Sequence, residues 1–228
     1  QVIFEKDEIL TLNNKPYSVF TPYKNSHLKK LNDFYLKPYP VDRYIHNLAK
    51  SLPSELISLE SMGFERTNLS SMRLPTGMSG GKQLLEDFEN RMHQYKAARD
   101  FPAIKGVSYL SVHLRFGTVS IRHLARQARN MVNLGADTWL NELIWRDFYF
   151  QILHHKPQVA AGRAYKIEFE NLTFPNNESL FKAWCDGKTG YPLVDAAMCQ
   201  LNQTGFMHNR LRMVAARFLV KDLLIDCR

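Results

Sequence analysis

Apolar residues recur every three or four positions through much of the chain from about Leu84 onward, the spacing that gives a helix one buried face. Leu84, Leu85, Phe88, Met92 and Tyr95 form one such run and predict a helix that closes before Phe101-Pro102. Ser120 is placed to cap a basic helix carrying Arg122, His123, Arg126 and Arg129. Asp137 is the expected cap of the next helix, which runs through His154 and stops before Pro157. A short helix around Leu180 to Trp184 and two more, near Pro192 to Thr204 and His208 to Asp226, complete the series. The first eighty residues read differently. Residues 1–20 alternate loosely, break at Asn13-Asn14 and resume at Tyr17, Val19 and Phe20, the pattern of a strand, a turn and an extended arm. From about Tyr23 to Gly81, Pro, Ser, Asn and Lys dominate, with one helical candidate near Val41 to Ser51. The expected fold is mainly α, preceded by a strand remnant and a long linker.

Composition supports a folded body: 228 residues with 45% apolar content can bury a sizeable core. Lys and Arg total 30 against 22 Asp and Glu, a formal charge of +8, which admits an anionic partner such as nucleic acid or simply a solvated basic surface. Cys185, Cys199 and Cys227 stand far apart without a C-x-x-C pair, which argues against a disulfide framework or zinc knuckle and fits a reducing, cytoplasmic setting. No run approaches the length of a membrane span. Gln1 is not a natural start, so a piece of a longer chain is expected.

Several patterns carry potential chemistry. At 100° per residue, Glu142, Trp145, Arg146 and Tyr149 share one face of a helix whose remaining surface is largely apolar. Spacing alone favours a solvated i,i+4 pair between Glu142 and Arg146, with the aromatics as ordinary packing. Asn209, Met213 and Ala216 likewise share a face of the last helix, where a buried amide needs partners from backbone or ligand, and Arg210 and Arg212 could meet phosphates. The GKTG of residues 187–190 lacks the first glycine and the preceding strand of a phosphate loop. His154-His155 has no second pair of ligands at useful spacing, so no metal site is expected.

RDFPAIKGVSYLS, LRFGTVSIR, WLNELIWRDFY, KTGYPLVDAAM and TGFMHNRLRM occur together and in this order. With them the chain resembles the photolyase and cryptochrome flavoproteins, above all the bacterial cyclobutane pyrimidine dimer photolyases. The resemblance implies residues 1–22 as the end of an amino-terminal α/β antenna domain, 23–80 as an interdomain linker and 81–228 as the first part of a helical FAD-binding domain. It also implies an enzyme in which photoexcited reduced FAD repairs pyrimidine dimers by electron transfer, bound to DNA as a monomer and without sequence specificity. A cryptochrome-like blue-light receptor without repair activity is the alternative. An antenna pigment, folate or deazaflavin, belongs to full-length members of the family.

The resemblance also carries roles residue by residue. Tyr95, Val107, Ser108, Leu110, Ser111, Trp139, Glu142, Arg146, Tyr149, Asn209 and Arg212 match flavin-site positions. Glu142, Trp145, Asn209 and Met213 match positions that meet the dimer, with Arg99, Trp145, Arg210 and Met213 on the DNA side. The helical face of Glu142 then becomes a cavity wall, reversing what spacing alone favours. Val107 stands where Thr is usual and Phe206 where the aromatic is often Trp. Cys227 and Phe174 fall at positions of the family's Trp electron path, which implies weak or rerouted photoreduction of oxidised flavin.

Overall fold

The computed structural model describes residues 1–49, 57–68, 72 and 74–228. Its helices are α1 (Phe20–Lys30), α2 (Asp33–Leu36), α3 (Gly77–Glu89), α4 (Tyr95–Ala98), α5 (Ser111–Phe116), α6 (Ile121–Asn130), α7 (Leu134–His155), α8 (Pro157–Ala160), α9 (Glu178–Cys185), α10 (Pro192–Thr204) and α11 (Asn209–Arg217). Short 3-10 turns occur at Val41–Asn47, Glu60–Met62, Met92–Gln94 and Ile167–Phe169, and a π turn at Phe218–Asp222 follows α11. Among the described residues there is no strand.

The helix α7 is the axis of the larger body. Asn133, not Asp137, caps it, with Oδ1 accepting from the Ala136 N–H at 2.9 Å. Leu140, Leu143, Ile144 and Phe148 are buried along it, against Ile121, Leu124, Phe88 and Met92 from its neighbours. At its start, a Cβ on Gly135 would sit 2.1 Å from the Met92 carbonyl oxygen, so only glycine lets the Met92–Gln94 turn lie this close. The run from Leu84 to Tyr95, expected as one helix, is divided by that turn into α3 and α4.

The expected strand at residues 1–20 does not form. A strap of bends and turns docks there on α7 instead, and backbone groups of residues 3–6 are satisfied by helix side chains in place of a partner strand. Asp147 Oδ2 accepts from the N–H groups of Ile3 (2.9 Å) and Phe4 (3.4 Å), Gln151 Nε2 donates to the Glu5 carbonyl (3.0 Å), and the His155 ring lies 3.1 Å from the Lys6 carbonyl. Positions 147, 151 and 155 are spaced one turn apart, so a single helical row reads the strap in sequence. Ile3 and Phe4 are fully buried by it. Buried His27, from α1, sits 3.5 Å from the same Asp147 oxygen. The helix α1 runs across position 22/23 and buries Tyr23 and His27 in the core shared with α7. The helical candidate at 41–51 is a 3-10 turn over Val41–Asn47; Lys50 and Ser51 lie outside the described residues.

A smaller lobe follows. Val194, Ala197 and Met198 of α10 meet Leu211, Ala215 and Phe218 in a second apolar cluster, with Trp184 of α9 against it. The Trp184 indole N–H donates to the Ala215 carbonyl at 3.1 Å. Residues 187–190 make the entry to α10: Asp195 accepts from the Thr189 N–H (2.7 Å), its hydroxyl (2.6 Å) and the Gly190 N–H (2.9 Å). That turn is occupied by a carboxylate of its own chain, which accords with rejecting a phosphate loop. The last helix ends at Arg217 instead of running to Asp226, and the π turn takes over.

Candidate functional site

A cavity of about 320 Å³ lies where the two bodies meet. One wall comes from Tyr95, Arg99, Trp139, Glu142, Leu143 and Arg146; the loop Val107, Ser108, Tyr109, Leu110 with Ser111 and Leu114 of α5 forms the floor; Phe206, Met207, Asn209, Arg210 and Arg212 close the far side. Trp139, Glu142 and Arg146 are successive turns of α7, which is why one face of one helix can supply an aromatic, a carboxylate and a cation to the same space.

Charges at this site are paired across the fold. Arg99 donates to Glu142 at 2.5 Å, and Asp100 Oδ1 lies 2.6 Å from Arg210 Nε and 3.6 Å from Arg99 Nε. The expected Glu142–Arg146 pair is thus replaced by a partner 43 residues away. Arg146 turns to the Gln1 carbonyl (2.7 Å) and the Leu114 carbonyl (3.4 Å), with its guanidinium over the Phe150 ring. Burial pulls the Arg146 pKa down, while Asp147 works against the shift. Burial and then the charge of Glu142 push the Tyr95 phenol up to about 12, so it stays protonated at neutral pH. The His208 imidazole caps α11, its Nδ1 accepting from the Arg210 N–H at 3.2 Å, and burial holds its pKa down. Its neutral form is the one with an acceptor nitrogen to offer.

The floor contains a strained residue. Tyr109 has φ of 58°, a left-handed conformation that a bulky side chain rarely adopts. Its ring reaches Phe206 of the smaller lobe, centroids 5.3 Å apart, so the aromatic bridge between lobes rests on that backbone turn. No local sequence signal marks it, because glycine is the usual sign of a positive φ.

Of the residues singled out by sequence, Tyr95, Arg99, Val107, Ser108, Leu110, Ser111, Trp139, Glu142, Arg146, Asn209, Arg210 and Arg212 line this cavity together. Trp145, Tyr149 and Met213 lie outside its lining. Trp145 is stacked on Phe20 with ring centroids 3.6 Å apart and planes 6° apart, and Tyr149 is stacked 5.5 Å from it. Met213 is 59% exposed on the outer face of α11, 3.9 Å from the Arg210 guanidinium. Sequence reasoning missed Tyr109 and the Phe20–Trp145 contact; the latter joins positions from two segments with no shared period.

Two helical bodies thus frame a cavity lined by hydroxyls, guanidinium groups and aromatic rings. Residues 139–228 match the family described as the FAD binding domain of DNA photolyase. Over its whole length it is 38% identical to the deoxyribodipyrimidine photo-lyase of Escherichia coli, covering 48% of that protein. Among solved structures, a class III photolyase from Agrobacterium tumefaciens superposes with a TM-score of 0.84 at 30% identity, over 99% of this chain and 48% of that one. A cryptochrome from Synechocystis matches at a TM-score of 0.72 and 26% identity, over 98% and 47%. The chain spans about half the length of the curated relatives it matches.

Proposed function

We propose that the chain forms one side of the flavin and lesion site of a DNA photolyase, a monomeric cytoplasmic enzyme that repairs cyclobutane pyrimidine dimers without reading sequence. The observation that supports this best is the composition of the cavity between the lobes. Hydroxyls of Ser108 and Ser111 and the cations of Arg146 and Arg212 suit an anionic pyrophosphate, and Tyr95, Trp139 and Phe206 suit planar rings. These residues fit FAD. When bound and reduced, FAD supplies the light-activated electron that opens the dimer's cyclobutane ring. The chain's own residues bind and orient: Val107 and Leu110 exclude water from the floor, and the Arg99–Glu142 pair fixes the carboxylate at the cavity wall. Asn209 offers an amide from the opposite side.

Arg99 holds Glu142 Oε1, so a pyrimidine edge is met by the second carboxylate oxygen, Oε2. Phe20 covers one face of Trp145, so a base contact uses the remaining surface of that ring. The DNA side consists of phosphate contacts from Arg99 and Arg210, with affinity that falls steeply as salt rises. Among the described residues no helix is long and apolar enough to cross a membrane.

FAD titration followed by flavin fluorescence tests the first half of this reading, with saturable binding expected and Arg212→Ala weakening it about tenfold. Loss of dimers from an irradiated oligonucleotide, illuminated with prereduced protein, tests the second. Flavin binding with no light-dependent repair favours the receptor alternative, and absence of flavin binding sinks both.

A further inference from the structure

We infer that Asp7, His154 and His155 form a binding site for a divalent transition-metal ion that pins the amino-terminal strap to the end of α7. One ligand atom from each of the three lies within 4.8 Å of the other two. The His155 Nε2 is 3.7 Å from the Asp7 carboxylate and 3.1 Å from the Lys6 carbonyl oxygen. An ion with bonds of 2.0 to 2.2 Å to imidazole nitrogen and carboxylate oxygen holds adjacent tetrahedral ligands about 3.3 Å apart. The two measured separations bracket that spacing. The Lys6 carbonyl supplies a fourth oxygen, replacing its present contact with the imidazole by a shared ion.

The surroundings permit the charge. Lys156, next along the chain, has its ammonium drawn 4.0 Å over the Tyr165 ring instead of toward the histidines. Asp7 and His154 are exposed, so closing the largest separation takes only a side-chain rotation, while His155 is held at 18% side-chain exposure. Two imidazoles and one carboxylate select zinc, nickel or copper over magnesium, which demands oxygen ligands. The adjacent histidines lack a ligand partner by spacing; the strap brings one from 147 positions earlier, because the row Asp147, Gln151, His155 sets its register.

Titration of the chain with ZnCl2, read by isothermal calorimetry, is expected to show one site with a Kd on the order of 10 µM. MgCl2 is expected to show none. Asp7→Asn and His154→Ala, both at exposed positions, are each expected to weaken Zn2+ binding at least tenfold. Zinc is also expected to raise Tm in the parent and not in either variant, and to slow amide exchange at residues 5–8. No saturable binding up to about 1 mM overturns the proposal. Equal binding by the parent and Asp7→Asn overturns it too, since the ion would then sit on other histidines or on the cysteines. Binding without added protection at residues 5–8 rules out the bridge to the strap.

Discussion

The core around α7 and the lobe of α9 to α11 are both helical, yet they hold themselves together by different means. In the core, aromatic and aliphatic side chains from residues 3 to 148 close on one long helix, and Asp147, fully buried, receives two backbone N–H groups and faces His27. The lobe has a small cluster of seven buried apolar residues, and its local turns and caps are joined by a few longer contacts, such as the Trp184 N–H on the Ala215 carbonyl. The contrast teaches that one body is specified by contacts remote in sequence and the other by contacts near in sequence. The cavity falls on the seam, with its rigid wall on the core side and the Asn209 wall on the lobe side.

The strongest way to break this contrast is Asp147→Ala. It leaves the strap's buried N–H groups without their acceptor and removes the carboxylate that faces His27, and is expected to cost about 4 kcal/mol in a urea melt. A loss under about 1 kcal/mol would mean that apolar packing alone holds the strap. Next in size is a matched pair of truncations. Phe88→Ala in the core is expected to cost about 3.5 kcal/mol and Leu211→Ala in the lobe about 2 kcal/mol, with the second loosening the lobe before the core. Coincident unfolding of both bodies, followed by tryptophan fluorescence and far-UV circular dichroism, would show one cooperative unit instead of two.

Helix caps should discriminate less. Asn133→Ala removes the cap of α7, and Asn177→Ala removes acceptors from Ser179 and Leu180 at the start of α9; each is expected to cost about 1 kcal/mol by chemical denaturation.

The smallest effects are those of pH, and they differ in sign. Burial and then the Asp147 charge raise the Tyr23 pKa above its ordinary 10.0. The unfolded chain therefore loses that proton first, so the core's stability is full below pH 10 and declines above it. In the lobe, bonds from the Thr189 side chain and from the Thr189 and Gly190 N–H groups hold the Asp195 pKa below 3.8. That contribution is present above the ordinary carboxylate range and fades as pH falls through it. Tyrosinate absorbance should show two phenols titrating late, Tyr23 and Tyr95, and Gly190 amide exchange should speed up in acid; the opposite pattern would remove the distinction between the two bodies.

Much of the cavity lining was legible before any coordinates. Glu142 and Arg146 share a helical face by spacing, although Trp145 and Tyr149 of that face lie outside the lining; Trp139 comes only with the resemblance carried by WLNELIWRDFY; and Ser120 caps α6 as its place before Ile121 implies. The reading of residues 1–20 as a strand failed because alternation reports only that every second side chain is buried. It does not say whether the backbone bonds another strand or, as here, a row of helix side chains. Asp137 and Asn133 were both capping types at adjacent turns, and only the backbone dihedrals of residue 133 decided between them.

By itself the sequence determined where helices run and which side chains, aromatic, hydroxyl and cationic, were available to a cavity, since both depend on near neighbours along the chain. The tertiary structure alone decided the pairing: Arg99 with Glu142, Ile3 with Asp147, Phe20 with Trp145, Asp7 with the terminal histidines of α7. A hydrogen bond or ring stack acts over a few ångströms, and which residues come that close is set by the packing of whole elements, which no local pattern of residues contains.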